Sequence, residues 1–174
     1  MAQTVDLPAE RWRADFPALI ERHQAMVFGI AVHFLRNRTQ AEDIAQDVFL
    51  ELYKNAGRIE SDSHAVHWLR KVTARKCIDH IRWRRLRPWH GLDEIAEPAA
   101  PGGQKDLLLS RGLQRMVASL PGRMRMAVVL RFQEDLAPAE IAAVMDTTTA
   151  SAKSMVHRGL ELLREKMQRA GVGG

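Results

Sequence analysis

Apolar residues recur at intervals of three and four through most of the chain, whereas alternating valine-rich runs and Asn-Gly hairpin turns are missing. That periodicity fits one face of an α-helix and not a half-buried strand, so it predicts an all-α protein. The recurrence breaks most clearly at residues 88–105, PWHGLDEIAEPAAPGGQK, where proline and glycine accumulate and no helix can continue. The expected organisation is two small helical domains, residues 1–88 and 106–174, joined by a flexible linker at 89–105. Upstream, helices are expected over residues 10–36, 40–56 and 63–87, with a short loop at 57–62. Downstream, four helices are expected, over residues 106–119, 122–133, 138–145 and 150–168. Thr39 and Glu42 have the spacing of a capping box, which predicts the start of the second helix.

Within that second helix Ala41, Ile44, Ala45, Val48, Phe49, Leu52 and Tyr53 form one apolar stripe, which must face the core of its own domain. Asp43, Gln46, Asp47, Leu50 and Lys54 fall at the same spacing on the opposite face. They set an exposed leucine in an acidic, amide-bearing strip, a composition suited to docking a basic helical partner. A single exposed leucine on a charged face is also ordinary, and periodicity alone does not separate the two readings.

The third helix carries Arg70, Lys71, Arg75, Lys76, Arg82, Arg84, Arg85 and Arg87 against one acid, Asp79. Trp68, Lys71, Arg75, Asp79 and Arg82 share a stripe beside a broad apolar face of Val66, Leu69, Val72, Thr73, Cys77 and Ile81. Clustered cations release counterions on binding a polyanion, and an aromatic ring at the end of the row can stack on an unpaired base. Asp79 has the spacing to pair with Arg75 and Arg82 and hold them in place. A solvated basic face with Trp68 in the core is the plainer alternative. A membrane-surface helix fits less well, because the apolar side has little of the Trp, Phe and Leu weight such helices use. His64, His67, Cys77 and His80 make an H-x-x-H and a C-x-x-H pattern. On one helix, however, His67 and Cys77 lie about 15 Å apart, too far to share a metal.

Pro138 suits the first position of a short helix that buries Ile141, Ala142 and Met145. After a turn at residues 146–150, a further helix buries Ala152, Met155, Val156, Leu160, Leu163 and Met167 and presents Ser151, Lys153, Ser154, His157, Arg158, Glu161 and Arg164. Short polar and basic residues in the first turns are what a recognition helix needs to reach base edges and phosphates in the major groove. An ordinary helical hairpin with a polar outer face shares the pattern. Asp146 stands where many such turns use glycine, and aspartate tolerates left-handed backbone better than most residues.

Composition narrows the classes. The 174 residues carry a formal net charge of +5, with a pI near 9.9, which fits a polyanionic partner without specifying it. Cys77 is the only cysteine, so an internal disulfide is excluded and a reducing, cytoplasmic compartment is expected. Neither a secretory pattern at the N-terminus nor an apolar run approaching the roughly 20 residues of a bilayer span is present, so no membrane insertion is expected. No phosphate-cradling glycine loop, metal-ligand set or nucleophile elbow is found. The chain is therefore expected to be no enzyme, with no cofactor, metal or small-molecule substrate.

Three runs, AEDIAQDVFLELYKN (41–55), HWLRKVTARKCIDHIRWRR (67–85) and SAKSMVHRGLELLREKM (151–167), resemble in order and spacing the characteristic segments of extracytoplasmic-function sigma factors of the sigma-70 family. LPGRMRMAVVLRFQEDLAPAEIA (120–142) resembles the stretch leading into that family's helix-turn-helix. The resemblance implies an alternative sigma factor that binds core RNA polymerase and directs promoter-specific initiation, with region 2 in the first domain and region 4 in the second. It implies that Asp43, Gln46, Asp47, Leu50, Glu51 and Lys54 dock on the clamp helices of the polymerase's largest subunit. Arg58, Ser61, Asp62, Ser63 and His64 of the loop, with Trp68, Lys71, Arg75, Lys76, Arg82, Arg84 and Arg85 of the basic helix, would open and hold the minus-ten promoter element. Ser151, Lys153, Ser154, His157 and Arg158 would read the minus-thirty-five element as duplex. The linker would thread toward the polymerase's active-site and RNA-exit region. An anti-sigma protein is an implied partner and, where it is membrane-tethered, would hold this cytoplasmic chain at the inner membrane face. Three positions depart from the family pattern: Lys76 replaces a common asparagine, Trp83 interrupts the usual arginine run, and Gly159 replaces alanine at a cost of ~1 kcal/mol in helix propensity. The alternative, a helix-turn-helix repressor or activator that is not a polymerase subunit, leaves the acidic strip and the first basic surface without a role.

Overall fold

A computed structural model describes residues 15–87 and 104–171, which contain seven α-helices and no strand. The expected helical start at residues 10–14 and the linker residues 89–103 lie outside the described residues. Helix α1 (Phe16–Leu35) has proline in its first turn and ends at Arg36, whose left-handed backbone (φ 59°) sends its N–H back to the Val32 carbonyl. That reversal leaves Asn37 extended, and its side chain accepts from the Gln40 N–H at 2.9 Å to start α2 (Arg38–Asn55). The expected Thr39–Glu42 capping box does not form. Thr39 is already inside the helix, and Glu42 pairs with Arg38 at 2.9 Å instead.

A single 3-10 turn (Ala56–Arg58) leads to α3 (Asp62–Leu86), where the Ser61 hydroxyl accepts from the His64 N–H at 3.2 Å. In the second half, α4 (Gln104–Ala118) begins two residues inside the expected linker, followed by α5 (Gly122–Gln133), α6 (Pro138–Val144) and α7 (Thr149–Arg169). Proline opens α6, and the Ala137 N–H donates to the Glu140 carboxylate at 2.7 Å. The Thr148 hydroxyl caps α7 by accepting from the Ser151 N–H at 3.1 Å.

The apolar stripes find one another. Val27, Ile30 and Phe34 of α1, Ile44, Val48 and Leu52 of α2, and Leu69, Val72 and Cys77 of α3 are all buried. Tyr53 departs from the expected stripe. It lies at the stripe's edge, half exposed, with its ring edge-on to Phe16 at 5.1 Å, so its hydroxyl keeps its water. In the second half Leu130, Ile141 and Ala152 are buried between α5, α6 and α7, and Leu120, Val128 and Leu163 form a smaller cluster.

The two halves touch where α5 packs on α1 and α3, and where α6 packs on α3. Arg125 is the joint: its buried guanidinium donates to the Ala118 and Leu120 carbonyls of its own half and to the Phe34 carbonyl of the other, at 3.1 Å for the last. The Phe34 ring lies 5.0 Å from its centre.

Gly159 finds its reason in packing. A Cβ there would stand 2.7 Å from Val128 Cγ2 and 3.2 Å from Met124 Cγ, so α7 approaches α5 more closely than alanine permits. Gly159→Ala should accordingly lower stability by about 1 kcal/mol, because overpacking outweighs the gain in helix propensity. Urea denaturation measures it, and a stabilised variant would show that the contact yields freely.

Candidate protein-docking and nucleic-acid interfaces

On α2 the structure places Asp43, Gln46, Asp47, Leu50 and Lys54 together on the outer face, all exposed, with Leu50 at 58%. Leucine at that exposure gains nothing from the protein's own core, while its neighbours keep the strip soluble. Glu51 does not belong with them. It turns toward α3, where its two carboxylate oxygens accept from Arg75 at 2.8 Å and Lys76 at 3.1 Å. Partial burial alone would push the Glu51 carboxyl up, but the hydrogen bonds and charges of Lys76 and Arg75 outweigh it and hold the group below its ordinary value.

The loop before α3 is built from inside. Asp62 accepts from the buried His23 ring at 3.1 Å and faces Arg22 at 3.7 Å, so it anchors the loop to α1. Ser61 serves as the cap of α3, and the Ser61 and Ser63 hydroxyls lie 3.1 Å apart. His64 accepts from the Glu60 N–H at 3.3 Å, which leaves Arg58 and Ser63 as exposed positions of the loop.

Along α3 the expected stripe lies on the outer surface, with Arg75, Asp79 and Arg82 exposed and Lys71 half-buried. Trp68 is partly buried and packs against the hydrophobic core, so its ring is shared between core and surface. Asp79 does not hold Arg75 as the spacing suggested: Arg75 has crossed to Glu51 on α2. Arg82 and Arg85 remain exposed, and Arg84 is partly buried. His80 meets the Gln40 side chain at 3.1 Å, and among the described residues no group of three or more His, Cys, Asp or Glu side chains could hold a metal.

In the C-terminal half, Ser151, Lys153, His157 and Arg158 are exposed at the start of α7, and Ser154 is partly covered. The His157 ring faces Glu161 one turn on, at 3.2 Å. Asp146 takes the left-handed conformation (φ 49°) that the turn requires, without glycine. Periodicity missed two acids of this half that reach α3: Glu134 meets Arg70 at 3.1 Å and Asp146 meets Lys71 at 2.7 Å. The departure from glycine at Asp146 was the one signal in the sequence.

Both halves of the chain resemble known proteins. Residues 19–87 match the family description Sigma-70 region 2, and residues 110–163 match Sigma-70, region 4. RNA polymerase sigma factor CarQ of Myxococcus xanthus is 32% identical over 152 residues, which cover 86% of this chain and 87% of CarQ. ECF RNA polymerase sigma factor SigW of Bacillus subtilis is 25% identical over 166 residues, covering 88% and 89%. ECF RNA polymerase sigma-E factor of Escherichia coli K12 is 28% identical over 166 residues, covering 88% and 86%. The solved structure of the sigma factor RpoE in complex with the anti-sigma factor NepR from Bartonella quintana shares the fold, with a TM-score of 0.65 at 20% identity over 91% of this chain and 95% of that one.

Glu51→Gln should weaken the α2–α3 tie. Because the carboxyl is held low, its contribution is complete above the ordinary glutamate value of 4.5 and disappears as pH falls through the lowered one. Urea melts across that acid range should show the variant less stable at neutral pH and equal to the parent at the acid end.

Proposed function

Because the chain belongs to the extracytoplasmic-function group of sigma-70 family RNA polymerase sigma factors, we propose that it docks on core polymerase through α2, holds the opened minus-ten element on the loop and outer face of α3, and reads the minus-thirty-five duplex with the first turns of α7. One observation carries this reading: a single chain presents an acidic strip with a bare leucine and two separate cationic faces, on three different helices. A repressor needs only one of the three. Asp43, Gln46, Asp47, Leu50 and Lys54 form the docking strip, and Glu51 acts behind it by fixing α2 against α3. Arg58 and Ser63 of the loop, with Lys71, Arg75, Lys76, Arg82, Arg84 and Arg85, supply the contacts to opened DNA, while Ser61, Asp62 and His64 shape the loop and Trp68 offers its exposed edge to a base. Ser151, Lys153, Ser154, His157 and Arg158 contact the duplex.

The domains run from residue 1 to 88 and from 106 to 174. The chain is a regulatory subunit and not an enzyme. It works in the cytoplasm beside the nucleoid, and among the described residues no helix is long and apolar enough to cross a membrane. The partner named with the Bartonella protein supports control of this chain by an anti-sigma protein, which confines it to the membrane face where that protein is membrane-tethered.

Purified chain with core polymerase should initiate RNA synthesis from a promoter found by transcript mapping, and neither component should do so alone. Full-strength footprints without polymerase would favour the repressor. Asp47→Asn with Leu50→Ala should weaken core binding roughly tenfold with helicity unchanged, the loss expected of a central apolar anchor with a flanking charge. Lys153→Ala with Arg158→Ala should lower duplex affinity and flatten its salt dependence while core binding is kept.

A further inference from the structure

Among the described residues, three polar side chains are buried: His23, Thr73 and Arg125. Thr73 donates to the Leu69 carbonyl one turn back, and Arg125 donates to backbone carbonyls at the seam, so both complete the packing around them. His23 differs. It is 8% exposed, yet its Nε2 donates at 3.1 Å to Oδ1 of Asp62, 39 positions on, whose side chain is half exposed. A leucine would fill the same place at a lower cost of desolvation, so the histidine answers to Asp62 and not to the core. Asp62 is the first residue of α3, directly after the Ser61 cap, where the helix N-terminus favours a carboxylate. Arg22 also faces Asp62, at 3.7 Å, but it is half exposed and stands at the same distance from Asp15, and pairs of that kind contribute little. The buried histidine is the firm contact from α1.

Three residues before Asp62, the Ile59 side chain is buried in the same core. The loop is therefore pinned at two points, Ile59 by burial and Asp62 by His23, and the exposed side chains of Arg58, Glu60 and Ser63 lie beside and between these anchors. A loop ordered before it meets its ligand does not lose that freedom on binding. We propose that His23 is a positioning residue for the capture of an unpaired promoter base: through Asp62 it sets the loop at residues 57–63, so that the loop meets the base in one fixed geometry. His23 itself lies too deep to touch DNA. The inference rests on the reading of this loop as part of the minus-ten face. An apolar side chain at position 23 keeps the packing of α1 but releases the second anchor. A loosened loop then loses selectivity between bases while the cations of α3 still hold the phosphates.

The test uses the chain together with core polymerase on fork-junction DNA of the promoter found by transcript mapping, with each of the four bases in turn at each unpaired minus-ten position. The readout is the ratio of affinities for the best and worst base, which a smaller folded fraction leaves unchanged. His23→Leu should lower that ratio roughly three- to tenfold at the position the loop reads, with the other positions and the affinity for core unchanged. His23→Gln, whose amide places a donor close to where Nε2 stands, should retain most of it. Asp62→Ala should match His23→Leu, and the two together should be no worse than either alone, because each removes the same contact. Losses that add overturn the proposal, and so does a glutamine variant as indifferent to the base as the leucine one. Arg58→Ala with Ser63→Ala tests the loop reading separately. If that pair lowers the ratio and His23→Leu does not, the positioning role falls and the reading of the loop stands. If neither changes it at any position, the reading falls and the proposal with it. A loss in His23→Leu restored by glutamine establishes the role, even where the loop backbone and not those two side chains meets the base.

Discussion

Taking a guanidinium out of water is costly unless acceptors meet most of its N–H groups, and the burial of Arg125 imposes that requirement where the two halves of the molecule meet. The carbonyls of Ala118 and Leu120 answer it from within the C-terminal half, shaping the turn between α4 and α5. The third acceptor, Phe34, belongs to the last turn of α1, where helix carbonyls have no intrahelical partner and carry partial negative charge. One side chain thus completes its own domain and fixes where the other domain lies. The arrangement is electrostatically crowded. Burial and then the like charge of Arg85 pull the Arg125 guanidinium below its ordinary value, and burial and then Arg115 do the same to Arg36. Arg125 Nε and Arg36 Nη1 are buried without a partner. Glu134 and Asp146 pair with Arg70 and Lys71 elsewhere on the same seam.

The cations of α3 consequently fall into groups with different histories. Arg75 and Lys76 are tied to Glu51 inside the N-terminal half, Arg70 and Lys71 to acids of the C-terminal half, and Arg82 and Arg85 lie exposed toward the end of the helix. Only the second group changes partner if the halves separate. The first group is held by a carboxylate on the adjacent helix of the same core, so it stays oriented whatever the other half does. Along α3, the cations tied to the other half lie in the first half of the helix and exposed cations lie toward its end.

How far the sequence was readable follows from the range of the forces involved. Helix positions, the two halves, the acidic strip around Leu50 and the polar start of α7 depend on local periodicity and on the burial of apolar stripes, and these are written at intervals of three and four. Asn37 displaced Thr39 as the cap because Arg36 takes a left-handed turn, which nothing in the adjacent residues specifies. Asp79 lost Arg75 to Glu51, and Glu51 left the docking strip, because a partner 24 positions away in sequence is adjacent across two packed helices. Gly159 read as a loss of helix propensity until the approach of Val128 gave it a reason. For Arg75, Glu51 and Gly159 the deciding contact came from another helix, and periodicity within one helix carries no information about it.

The outer face of α2 lies clear of the seam between the halves. Helix α2 packs on α1 and α3 through its apolar stripe, and Asp43, Gln46, Asp47, Leu50 and Lys54 face away from that core. The C-terminal half engages Arg70 and Lys71 on α3 and leaves Leu50 bare. Gly122 lets the start of α5 approach α3 so closely that a Cβ there would stand 2.7 Å from Ile81 Cδ1, so the seam is tightly packed at that point. The strip on α2 and the seam on α3 are therefore separate surfaces of one core.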